Sequence, residues 1–129
     1  MEKEFIPYEQ ALELKELNFD EECFGEWQNL KTGKNLSINQ DEDSYVYNIP
    51  VLGANISAPL YQQAFRWFRE KYGLVGWIEG NEGKRMFMYR IESPIDSDDQ
   101  LNCSPFKTYE EAELACIKKL IEIVIQHEL

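Results

Sequence analysis

Histidine is almost missing from this chain: His127 is the only one in 129 residues. Acid–base and nucleophilic catalysis recruit histidine more than any other side chain. An imidazole at the end of a helix reads first as a cation facing the negative pole of the helix dipole. Cysteine is scarce too. Cys23, Cys103 and Cys116 form an odd, widely spaced set with no C-x-x-C, which speaks against a disulfide framework and for reduced thiols. Cys116 and His127 fall about three turns apart on one expected helix, roughly 16 Å at ~1.5 Å per residue, too far for a nucleophile–base pair. No apolar run approaches the roughly 18 residues of a spanning helix. The opening MEKEFIPYEQ lacks the apolar stretch of a signal peptide. A cytoplasmic location is therefore expected, where the N-x-S sequons at Asn35, Asn55 and Asn102 carry no meaning. Positive charge is short as well: thirteen Lys and Arg stand against twenty-four Asp and Glu, a net charge of -11. That balance repels nucleic acid and anionic membranes and favours a protein partner with a basic surface.

What is present is a core. Hydrophobic residues make up 43% of the chain and aromatics 13%, at a length suited to one domain, so residues 1–129 are expected to form a single globular unit. A first helix is expected over residues 7–18. It has Pro7 in the opening turn, Asn18 as a left-handed stop, Glu9, Glu13 and Glu16 on one face, and Ala11, Leu14 and Leu17 away from it. CFGEWQNL (23–30) and SYVYNIPV (44–51) read as strands, with KTGK as a turn and NLSIN as a short further strand. PLYQQAFRWFREKYG (59–73) mixes aromatics with arginines, the ingredients of a stacking platform for nucleic acid. On a helical wheel they separate. Leu60, Tyr61, Ala64, Phe65, Phe68 and Tyr72 make one arc with Trp67 at its edge. Gln62, Gln63, Arg66, Arg69 and Glu70 make the other, with Lys71 alone intruding on the aromatics. The stretch is a core helix stopped by Gly73. A hairpin follows, LVGWIE and KRMFMYRIE about a GNEG turn, and then an acidic loop over 92–107. Thr108 and Glu111 have capping-box spacing for a last helix. Its apolar residues, Leu114, Ile117, Leu120, Ile121, Ile123, Val124 and Ile125, cover more than half the circumference and place it centrally against the sheet. The expected fold is α+β, an antiparallel sheet of four or five strands with three helices mainly on one face, in the order α-β-β(-β)-α-β-β-α.

Chemical motifs fail one by one. A phosphate loop around Gly33 and Lys34 would need glycine at Gln28 and Ser or Thr at Asn35. QDED and DSDDQ cluster carboxylates without the glycine and glutamate of an EF-hand loop, so no metal is expected. In KRMFMYRI, Arg85, Phe87, Tyr89 and Ile91 alternate with Lys84, Met86, Met88 and Arg90. The glycines of RNA-recognition strands are missing, and the basic residues are better matched to the many carboxylates. No cofactor motif is present, and the balance leans away from an enzyme.

Three segments, PYEQALELKELNFDEECFG, APLYQQAFRWFREKYGL and TYEEAELACIKKLIEIV, resemble a family of small uncharacterised proteins from Bacteroides-type gut bacteria and their phages and mobile elements. The resemblance implies a cytoplasmic, element-borne protein and brings no activity, cofactor or catalytic residue with it.

Two functions fit these observations. One is a non-enzymatic acidic interaction module, in its sharper form a mimic of DNA charge. Its candidate surface is Glu21, Glu22, Asp41, Glu42, Asp43, Asp96, Asp98 and Asp99, residues that also suit ordinary solvated loops. The other is a small-ligand protein or enzyme with an aromatic cleft between helices and sheet. Tyr45, Tyr47, Trp77 and Tyr89 would line it, with Arg66 or Arg69 as an anion anchor.

Overall fold

The computed structural model describes residues 2–30, 33–38, 55–81, 83, 85–94 and 105–128. The chain divides into two compact units, Met1–Tyr61 and Gln62–Leu129.

In the first unit a 3-10 turn, Glu2–Glu4, precedes α1, Tyr8–Glu16. Pro7 sits at the cap position in extended geometry, where its missing N–H costs nothing. The helix stops at Asn18, whose φ of 68° is left-handed. Asn18 N–H donates to Lys15 and Phe19 N–H to Leu14, at 3.0 Å each, the bond pair of a Schellman turn. Phe19 and Leu14, the residues such a turn brings together, are both buried, as are Ala11 and Leu17. Strands β1 (Gly25–Leu30), β2 (Gly33–Ile38) and β3 (Ile56–Ala58) form an antiparallel sheet in the order β2-β1-β3. The amino-terminal segment is tied to the end of β3 by a bridge between Phe5 and Leu60 and a 2.8 Å bond from Ile6 N–H to the Pro59 carbonyl. Trp27 on β1 donates its indole N–H to the Ile6 carbonyl at 2.8 Å. Its ring meets Tyr8 edge-on, and Lys34 on β2 lies 4.1 Å over the Tyr8 ring. At Gly25 a Cβ would come within 2.9 Å of the Phe5 ring, so glycine is what lets the two segments close.

Helix α2, Tyr61–Tyr72, lies in the second unit from Gln62 on; it buries Tyr61, Ala64, Phe65, Trp67 and Phe68 and exposes Gln62, Arg66, Arg69 and Glu70, the division the helical wheel predicts. Lys71 does not break the pattern, because its ammonium lies over the rings of Trp67 and Tyr72, at 5.0 and 5.5 Å. Gly73 takes a φ of 70° and ends the helix. The hairpin pairs β4 (Val75–Asn81) with β5 (Met86–Glu92). β4 runs two residues further than LVGWIE suggests. Arg85 lies in the turn at a φ of 51°, not on the strand face with Phe87, Tyr89 and Ile91. Helix α3, Tyr109–Glu128, opens with Glu111 N–H bonded to Thr108 Oγ1 at 3.1 Å and packs on both hairpin strands. Ile117, Leu120, Ile121, Ile123 and Val124 are buried, while Ile125 stays 40% exposed.

The α+β class and the element order agree with the sequence. Among the described residues, however, the strands form two antiparallel sheets, of three and two strands, in place of one sheet of four or five. The reason is pairing: β1 takes β2 and β3 on its two sides, while β4 is joined to β5 by a tight turn after α2 intervenes. β3 is a strand that sequence pattern does not announce. SYVYNIPV lies outside the described residues.

Candidate interaction surface

The acidic positions named above separate into two groups. Asp41, Glu42, Asp43, Asp96, Asp98 and Asp99 lie outside the described residues, as do Tyr45 and Tyr47 of the cleft. Glu21 and Glu22 are described. They follow the Schellman turn, which swings the chain from the end of α1 toward β1. Within Asp20–Phe24, Asp20 and Glu22 are exposed and Glu21 is half-buried. The buried Cys23 thiol donates to the Glu21 carbonyl at 3.4 Å. Phe24 is 42% exposed, the most exposed of the described large hydrophobic side chains. Cys23 is buried and Phe24 exposed, two residues on from Glu22 in the sequence.

The described cleft residues, Arg66, Arg69, Trp77 and Tyr89, do not share one face. Arg66 and Arg69 stand on the solvent face of α2. Trp77 and Tyr89 lie on opposite faces of the hairpin, because Trp77 pairs with Arg90 and Tyr89 with Ile78. Tyr89 stacks on Phe106 at 6.5 Å, and Phe87, on the same face, meets Tyr109 edge-on at 5.8 Å. That face also holds Gly76 and Ile91 under α3.

Trp77 belongs to the outer face with Glu79 and Arg90, a group that sequence reasoning missed. Its indole N–H donates to one Glu79 oxygen at 3.0 Å, and Arg90 Nε donates to the other at 2.6 Å. The signal was available: W-x-E puts both residues on one face, and the hairpin register sets Arg90 beside them. The Trp77 and Arg90 bonds, in that order, hold the Glu79 carboxyl below its ordinary 4.5. The Arg90 charge adds to this and desolvation opposes it. A depressed carboxyl contributes stability that is present above the unfolded value and is lost as pH falls through the folded one. In an NMR titration the Trp77 indole N–H is expected to shift with a midpoint below 4.5. Arg90→Ala should move that midpoint upward, and an unmoved midpoint would remove Arg90 as a cause.

Among the described residues no cluster of three or more His, Cys, Asp or Glu is placed to hold a metal ion. Among the same residues no helix is long and apolar enough to cross a membrane. No protein-family model, curated protein or solved structure matches the chain.

Proposed function

We propose that this chain is a non-enzymatic interaction module that binds a protein with a basic surface. The observation that carries the reading is Phe24, a large aromatic left 42% exposed one residue beyond the acidic run Asp20, Glu21 and Glu22 in a chain of net charge -11. Lysine and arginine side chains match such a patch twice over. Their charged heads meet the carboxylates, and their stems or guanidinium planes lie on the ring. The chain's overall field steers a basic partner toward it and speeds the encounter. If the partner's basic surface is one that otherwise binds DNA, the chain acts as a mimic of phosphate charge. An origin in a phage or mobile element suits that role.

The test is affinity capture from a native or phage-infected lysate with stepwise salt elution, run in parallel on the wild type and an E21K/E22K/F24A variant. A stoichiometric basic protein released at moderate salt from the wild type and not retained by the variant supports the reading. Competition of that protein by duplex DNA supports the mimic form. Equal capture by both chains, or release only by denaturant, counts against it.

A further inference from the structure

Among the described residues, one edge of the hairpin is paired and the other has no strand against it. On the outer side of β5, Phe87 exchanges both of its backbone hydrogen bonds with Phe106, at 2.8 Å each way. A residue that directs its N–H and C=O to that side has neither left for the other, so Gly80 and Phe87 are a non-hydrogen-bonded pair of the hairpin. Alternation makes Ile78–Tyr89 and Gly76–Ile91 pairs of the same kind. The backbone groups of Gly76, Ile78 and Gly80 therefore point away from β5. Among the described residues no strand lies against them. β4 also lacks the usual guards of an edge: VGWIEGN has neither proline nor lysine, and its register with β5 runs from Val75 to Asn81 without a bulge.

We propose that this edge pairs with a second copy of the chain, β4 against β4, antiparallel about a two-fold axis at Ile78. The strand is self-complementary in that register. Ile78 meets Ile78 of the second copy, Gly76 meets Gly80, and Gly80 meets Gly76. Each of these is a hydrogen-bonded pair, because each joins two residues whose backbone groups face outward. The glycines put no side chain in the way. Between them, Trp77 lies against Glu79 of the second copy. Glu79 is the only charge on the strand, and this register sets it beside an indole N–H, the same kind of donor that holds it within its own chain. A register centred on Glu79 would set two carboxylates face to face, which is destabilising. One centred on Trp77 would leave Gly80 without a partner. The pairing joins the two hairpins into one sheet, β5-β4-β4-β5, and leaves each α3 on its own hairpin. Because both copies carry -11, their repulsion is screened by added salt, so association strengthens with salt where binding to a basic protein weakens.

Sedimentation velocity over a concentration series at low and high salt, combined with amide exchange followed by NMR, tests this. A monomer–dimer equilibrium favoured by salt is expected. The amides of Gly76, Ile78 and Gly80 should gain protection with concentration, while those of Trp77 and Glu79, already bonded to β5, should not change. Gly80→Pro removes one outward donor from each copy and is expected to weaken dimerisation roughly tenfold. The hairpin has room for it, since the nearest atom to a Cβ there is a Phe87 ring carbon at 3.9 Å. Should that variant fold poorly, amide exchange on the native chain decides alone. A monomer at every concentration, or a dimer whose newly protected amides lie elsewhere, overturns the proposal.

Discussion

Replacing Phe68 by alanine is expected to cost the second unit about 3–5 kcal/mol, the range for deleting a fully buried phenylalanine. Phe68 is wholly inaccessible at the middle of α2. It meets Trp67 edge-on at 5.0 Å and Tyr72 at 6.1 Å, so its removal takes away ring contacts as well as buried area. Alanine is the better helix former, but that gain is at most several tenths of a kcal/mol and does not change the sign. The internal control is Arg69→Ala, one residue on and on the solvent face, which should stay within about 0.5 kcal/mol of the wild type. Urea unfolding would read both as midpoint shifts. Comparable losses for the two variants would contradict the assignment of aromatics to the core and arginines to water. A platform that binds ligands through Trp67 or Phe68 would show the reverse order, with modest stability loss and a ligand effect at both positions.

That contrast marks what the sequence makes legible. Helix ends depend on a few adjacent residues, so the stops at Asn18 and Gly73 and the start at Thr108 could be placed by chemistry alone, and each does in the structure what its residue type suggests. The faces of α2 and of β5 between Met86 and Ile91 follow from periods of 3.6 and 2, which are also local. Strand partnership is not. β3 spans only Ile56–Ala58 and is a strand because β1 offers it a free side some thirty residues earlier. Nothing within three residues can report that, and the same non-local choice decides between one sheet and two. Arg85 shows the limit from another direction. Its neighbours read as strand, but closing the turn demands a left-handed residue there, and it adopts a φ of 51° despite its side chain.

The candidate surface was legible in the same uneven way. Charge could be counted but not placed. Glu21 and Glu22 fall where the chain leaves a cap, a local event, and the exposure of Phe24 beside them follows from Cys23 turning inward. The Trp77–Glu79–Arg90 group needed the hairpin register, and the outward direction of the Gly76, Ile78 and Gly80 backbone groups needed the Phe87–Phe106 bridge on the other side. Both were visible only once two strands had been set in order.

Of the second unit's glycines, Gly76 has the tightest surroundings, and the result expected there is a loss followed by a rescue. A Cβ at this position would lie 3.0 Å from Cys116 Sγ, 3.2 Å from Leu120 Cδ1 and 3.5 Å from Phe65 Cδ1. Cys116 and Leu120 lie one turn apart on α3 and are wholly buried, so neither has space to retreat into. Gly76→Ala should therefore cost about 1–3 kcal/mol by overpacking, and Gly76→Val more. The backbone here is ordinary extended strand, so the penalty is one of space. Space can be returned from the other side. Cys116→Ala alone opens a small void and should destabilise modestly. Combined with Gly76→Ala it removes the sulfur that stands nearest the new methyl, and the double variant should be more stable than the sum of the two single losses predicts. A double-mutant cycle measures that coupling directly, with about 0.5 kcal/mol or more expected for residues in contact. Strict additivity would mean that α3 does not lie on β4 at this point. The cycle also gives Cys116 a defined part: its thiol is the knob that fills the gap left by a glycine.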